Sequence, residues 1–207
     1  MKFALIPRLA AVLFSVFLFQ SRAEAQGEPA GLVEAEVSSV KFSAVKFGSD
    51  SWFEADVEVE AKPGGKLAAG QFVNRVRVTL SIGMEGADEK GAKTINFYRS
   101  TAEALALECG KANFRFYFPP EIVKRDKLRT PVTYYAAEVE VAGKVQAPGR
   151  ASFSSAFTSP ASLQNFISKA ASESVSNDGL LVPQFLSPFA ADTQRRAPTF
   201  TRKEALR

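Results

Sequence analysis

Residues 52–62 read as the clearest strand of the chain, and over 53–61 apolar and acidic side chains alternate without a break. Phe53, Ala55, Val57 and Val59 share one parity, and Glu54, Asp56, Glu58 and Glu60 share the other. Successive side chains of a strand point to opposite faces, so this segment is a strand with one dry and one wet face. A helix would scatter both sets around its circumference. The four carboxylates therefore form a solvated row rather than a catalytic cluster. Pro63-Gly64-Gly65 ends the strand.

The same period recurs along the chain. In 72–84, Val76, Val78, Leu80 and Ile82 alternate with Arg75, Arg77, Thr79 and Ser81. This basic row is opposite in sign to the acidic one, which predicts the two as cross-strand partners on one solvent face. Residues 32–47 hold two alternating stretches, Val33-x-Ala35-x-Val37 and Val40-x-Phe42-x-Ala44, before a turn at Gly48-Ser49-Asp50-Ser51. The aromatic strand 113–118 turns Phe114, Phe116 and Phe118 inward and stops at Pro119-Pro120, with a short helix following over 121–127. Between these, 83–93 reads as a flexible charged loop, 94–98 as a short strand, and 101–108 (TAEALALE) favours a helical turn by propensity, with a strand as the alternative. In 131–145, Tyr135, Ala137, Val139 and Val141 alternate with Tyr134, Glu138 and Glu140 until Gly143 marks a bend, and 150–157 is a last strand candidate. Seven or eight strands punctuated by turn signals predict an all-β fold, an antiparallel β-sandwich over 26–159.

The start of the chain is of another kind. Lys2 and Arg8 precede an apolar run over 9–19, and Ala23-Glu24-Ala25 supplies small residues at the −3 and −1 positions of a cleavage site. A positive leader, a short apolar core and an A-x-A site predict a signal peptide over 1–25, with cleavage before Gln26. The run is shorter than the roughly 20 residues a spanning helix needs. The working protein is thus expected outside the cytoplasm: periplasmic, in the outer envelope or secreted. Cleavage removes Lys2, Arg8, Arg22 and Glu24, which brings the formal charge from +4 to about +2. That balance does not call for nucleic acid.

With one cysteine, Cys109, no disulfide can form within the chain, so the apolar core must hold the fold. Cys109 reads as a small buried hydrophobe in a strand, with a bridge to another chain as the alternative. There is no histidine, which removes the commonest general base and metal ligand. Ser-x-x-Lys occurs at Ser38/Lys41 and Ser43/Lys46, but in a strand residues three apart face opposite ways, whereas a serine–lysine enzyme sets the pair on one helical turn. Gly86-x4-Gly91 is followed by Ala92 in place of lysine and fails as a phosphate loop. Asp88 and Glu89 lack calcium-ligand spacing. No catalytic residue, metal or cofactor is expected, and the chain reads as a non-enzyme.

After Pro160 the period changes to that of a helix. Leu163, Phe166, Ile167 and Ala170 recur at i, i+3, i+4 and i+7, with Ser162 as a plausible N-cap, so 160–178 is an amphipathic helix ended by Asn177-Asp178-Gly179. The tail, 179–207, contains Pro183 and Pro188 and turns basic at Arg195, Arg196, Arg202, Lys203 and Arg207. It has no core of its own and reads as a flexible, extended segment. Its apolar residues Leu180, Leu181, Val182, Phe185, Leu186 and Phe189 are the candidate partner contacts, adding a strand to an envelope protein's sheet or filling its groove. Its basic half suits anionic lipid or an acidic protein face. Folding back on the sandwich is the third role it admits. A further candidate surface is aromatic: Trp52, Tyr98, Tyr117, Tyr134 and Tyr135, if exposed, suit a glycan or protein contact, and otherwise pack at the core edge.

The strands WFEADVEVEAKP, FVNRVRVTLSIGM and YYAAEVEVAGK, with the segment NFRFYFPPEIVKRDKL, resemble the immunoglobulin-like secreted proteins found with type IV pilus machinery in Gram-negative envelopes. The resemblance covers about residues 32–145. It implies an immunoglobulin-like sandwich and an accessory, pilus-associated role. A pilin proper would have a short leader ending in glycine and a long apolar helix, whereas here an A-x-A signal leads into strands. The expected function is that of an exported, non-enzymatic envelope module for protein interaction, self-association included. The alternative is a carbohydrate-binding module or adhesin.

Overall fold

The computed structural model describes residues 34–62, 71–87 and 91–201. The expected signal and leader, the Pro63-Gly64-Gly65 turn and residues 202–207 lie outside the described residues. In chain order the strands are β1 (Glu34–Phe47), β2 (Asp50–Lys62), β3 (Phe72–Ala87), β4 (Lys93–Glu108), β5 (Gly110–Phe118) and β6 (Tyr134–Val141), then three two-residue strands, β7 (Lys144–Val145), β8 (Val182–Pro183) and β9 (Thr199–Phe200). Helix α1 (Pro120–Arg125) follows β5, and α2 (Pro160–Glu173) precedes the tail.

These strands form two antiparallel sheets, ordered β1-β2-β5-β8 and β7-β6-β3-β4-β9. They pack face to face as a sandwich. The parity read in the sequence is the parity of burial. Ala55, Val57 and Val59 of β2 meet Val76, Val78, Leu80 and Ile82 of β3 and Phe114, Phe116 and Phe118 of β5 in one core. Each such side chain contributes about 1.5–3 kcal/mol when fully buried. The two stretches of β1 are one strand whose register against β2 shifts between Val37 and Ser39. One extra residue at a β-bulge carries the apolar set from odd to even positions without moving it off the core face. Between β6 and β7, Ala142 (φ 50°) and Gly143 (φ 84°) form a two-residue turn with both φ positive, the geometry that matches strand twist.

Several expectations are corrected. The 101–108 segment is strand throughout, part of a 16-residue β4, because pairing along β3 outweighs its helical propensity. Residues 83–87 continue β3 rather than opening a loop. Segment 150–157 is a 3-10 turn at Arg150–Ser152 with a single bridge from Phe153 to Ala136. The acidic and basic rows are not partners, since β2 and β3 lie in different sheets. Glu58 pairs with Lys111 at 2.8 Å and Asp56 with Arg115 at 3.2 Å, across β2–β5. Arg77 instead bridges Glu103 of β4 and Glu140 of β6, at 2.8 and 3.0 Å.

Helix α2 lies on the outer face of the β3-containing sheet. Ser159, not Ser162, is its N-cap, and Ser162 closes a reciprocal capping box with it. Leu163, Phe166 and Ala170 pack against Phe97, Ala136 and Phe157 in a second, smaller core. Gly83 makes that approach possible. A Cβ there would stand 3.0 Å from the Phe166 ring and 3.0 Å from Ile95 Cγ2. An alanine at this position costs about 1–3 kcal/mol by overpacking.

Candidate functional site

The six apolar tail residues are brought to the chain's own sandwich. After α2 the chain crosses the open side between the sheets, where Val182 and Pro183 pair with Tyr117 and Phe116 as β8. It then covers the outer face of the β2-containing sheet. Phe189 stacks on Tyr117 at 4.4 Å and 15°, with Trp52 and Phe47 edge-on at 5.8 and 5.5 Å. Arg195 lies over the Phe189 ring and forms an ion pair with Glu54. Finally β9 pairs with β4, and Phe200 enters between the sheets against Phe114 and Phe185.

So the expected free tail is, over 179–201, a strap. Leu181 and Phe189 are each 2% exposed, Leu180, Val182 and Phe185 are half-buried, and only Leu186, at 65%, keeps its surface. The physical reason is that an apolar segment without its own core uses the nearest one. Phe189 finds an aromatic floor in Trp52 and Tyr117, and Gln184, buried, ties the strap by donating from Nε2 to the carbonyls of Phe189 and Arg195. The charge of Arg195, read as available to lipid, is spent on Glu54.

The aromatic group is dispersed. Tyr98 and Tyr117 are fully buried, and burial pushes both phenols up. Tyr98 donates to Asp126 at 2.7 Å. Tyr135 packs edge-on against Phe42, and Tyr134 packs against Phe157 beside α2. Trp52 is half-buried under Phe189. Trp52 and Tyr117 share only the floor that Phe189 covers, and the five form no common exposed platform. Ser38 of the first Ser-x-x-Lys donates to Glu58 at 2.6 Å rather than to a lysine. Cys109 is half-buried at the turn between β4 and β5, where its N–H donates to Gln71. On the outer face above β3, Arg77 holds the Glu103 carboxyl below its usual range, whereas burial raises that of Glu138 beside Arg99. Among the described residues no three acidic or cysteine side chains come together as metal ligands.

What remains is an edge. β5 is finished by β8, β4 by β9, and β6 by β7 and the Phe153 bridge. β1 has β2 on one side and, among the described residues, no strand on the other. Its first residues, Ala35 and Val37, are buried, and they line one cavity with Ser152 and Phe153. Beyond the bulge Lys41, Ser43, Ala44, Lys46 and Phe47 are all exposed. An uncovered strand presents a row of free N–H and C=O groups. The sequence held a signal for it in the two lysines, since lysine on an edge discourages unwanted pairing. No helix of the described residues is long and apolar enough to cross a membrane.

No family model and no curated protein matches the sequence. Among solved structures the chain is similar to a crystal structure from Akkermansia muciniphila. The TM-score is 0.65 at 13% identity, over 85% of this chain and 97% of that one. At that identity the likeness is one of fold: the two-sheet antiparallel sandwich is shared.

Proposed function

We propose that this chain is an exported, non-enzymatic envelope module that engages another protein by strand addition along β1, as an accessory part of an assembly such as pilus machinery. The observation that carries the reading is the edge of β1 beyond its bulge, which has no strand along it among the described residues, whereas the other three sheet edges each carry a short added strand. Strand addition uses such an edge, with main-chain hydrogen bonds giving affinity and alternate side chains specificity. Export rests on the signal-like first 25 residues, and the non-enzymatic role on the lack of histidine and the lone cysteine. The strand order supports an immunoglobulin-like relationship. β1-β2-β5 opposite β7-β6-β3 has the pattern A-B-E opposite G-F-C, with the fourth strand moved from beside β5 to beside β3.

The test is a photo-crosslinker at Ser43 in the mature chain, in native envelopes, beside Ser43→Pro and Ala44→Pro controls carrying the crosslinker at Lys41. Adjacent residues turn their N–H groups to opposite sides, so one proline removes only an outward donor and leaves the β1–β2 ladder intact. The expected result is an adduct with an envelope protein that disappears in the proline variant keeping the parent melting temperature. An adduct insensitive to that variant, or none, overturns the β1 reading.

A further inference from the structure

β4 pairs with β3 along one side. On its other side the edge is finished at two points. Asn177 Nδ2 donates to the Phe97 carbonyl at 2.9 Å, and Thr201 N donates to the Glu103 carbonyl at 2.7 Å, where β9 meets β4. Residues two apart on an antiparallel strand turn their N–H and C=O groups to the same side. Arg99 and Thr101, which lie between, therefore turn theirs toward this edge, and no strand among the described residues pairs with them there. A cleft of about 1000 Å³ opens on this window, between the turn after α2 and the strap. Two large apolar side chains on its rim are bare: Val175 is 73% exposed and Leu186 65%. The arginines of the cleft are matched, Arg77 by Glu103 and Glu140 and Arg99 by Glu138. Asp178 in its wall has no ion-pair partner among the described residues.

We propose that this window is a second binding site, a notch that takes a short extended peptide as an added strand on β4 at Arg99–Thr101. The peptide places an apolar side chain against Val175 and Leu186, and a lysine, arginine or amino terminus at Asp178. The unpaired strand groups select a backbone, the rim selects an apolar residue, and the single unmatched charge selects a cation at one end. The site is separate from β1, so neither reading depends on the other.

The experiment uses the mature full chain and the probe peptide Lys-Val-Ser-Val-Ser, with two relatives: one N-methylated at alternate amides, and one with the lysine replaced by serine. Amide hydrogen exchange followed by NMR reads the notch directly. Saturation with the probe slows exchange of the Arg99 and Thr101 amides by about tenfold or more, and the N-methylated peptide leaves them unchanged. Asp178→Asn weakens the lysine peptide by about two- to fivefold, the range for an exposed charge contact, and leaves the serine peptide unaffected. Leu186→Ser, at an exposed position, weakens both. Unchanged exchange at about 1 mM probe, or equal protection by the N-methylated peptide, overturns the proposal. Binding seen only with a chain ending at Thr201 also overturns it, because the notch would then belong to this chain's own last residues.

Discussion

The two lateral sides of the sandwich are finished differently. On the side of β4 and β5 the strap crosses from one sheet to the other, adding β8 and β9 and placing Phe200 in the gap. On the side of β1 and β6, the β6 edge is met by β7 and Phe153, while β1 past its bulge has no strand beside it among the described residues. An uncovered edge invites pairing with other chains, and proteins commonly blunt such edges. Among the described residues, two-residue strands finish parts of three edges, whereas the 14-residue β1, with two lysines beyond its bulge, has no strand along its outer side. The difference also reassigns the tail. Its apolar residues Leu181 and Phe189 are buried against the chain's own sandwich.

Removing 180–201 is the strongest way to break the comparison. It uncovers both edges of the closed side and deletes the buried Leu181 and Phe189 with the half-buried Phe185 and Phe200. At about 1.5–3 kcal/mol for a fully buried side chain, the loss is of the order of a whole domain's stability, about 5–15 kcal/mol. We expect no cooperative thermal transition, checked by calorimetry. A truncated chain melting like the parent would show that the strap is not part of the fold. A binding assay on such a truncation would measure unfolding, not contact.

Phe189→Ala sharpens the same point with the strap still present. It removes the ring between Tyr117, Trp52 and Arg195 and costs about 3–5 kcal/mol, read as a lower midpoint in urea. Of the β1 edge only Phe47, at its end, loses a ring contact, so crosslinking from Ser43 is expected to survive below the melting point.

Acid tests the charged face under the strap's end. Glu103 accepts from Arg77 and Arg75, mainly from Arg77, which keeps its folded pKa below the unfolded value near 4.3. A depressed carboxylate contributes stability that is fully present above the unfolded pKa and lost as pH falls through the folded one. Glu58, held down chiefly by Lys111, adds to the same trend on the other sheet. Glu138 opposes it, since burial raises its pKa and its contribution is greatest at low pH and lost as pH rises. We expect the melting temperature to fall below about pH 4, and to fall less steeply in Arg77→Gln, where the carboxyl has lost its main partner. Parallel pH profiles would remove Glu103 from this role.

The smallest effect on stability is on the open side. Replacing Lys41 and Lys46 together by threonine changes stability by less than about 0.5 kcal/mol, as for exposed sites. It raises self-association, because the edge loses its charges. Sedimentation velocity checks this, and an unchanged monomer fraction would mean that the lysines do not guard β1.

Strand parity, and with it the identity of the core, was legible in residues as local as Phe53-x-Ala55-x-Val57, because period two has only one backbone solution with a dry face. The two alternating stretches around Val37 and Val40 were legible, but that a bulge joins them in one strand came only from the register against β2. The helix over Leu163, Phe166 and Ala170 was legible for the same reason at period 3.6. Pairing was not. Glu58 chose Lys111 over Arg77 because β3 went to the other sheet, and sheet assignment depends on crossovers that no local pattern encodes. TAEALALE followed its neighbour β3 instead of its own propensity. The tail was read as free because it has no core within itself, and the aromatic rings that Phe189 packs against, Phe47, Trp52 and Tyr117, lie more than 70 positions earlier. The open edge of β1 and the notch at Arg99 and Thr101 are likewise defined by what does not pair with them. By itself the sequence determined which faces are dry, since side-chain alternation is a local property. Only the tertiary structure decided which edges are closed, since an edge is closed by a distant segment, and backbone hydrogen-bonding groups are the same in every residue except proline.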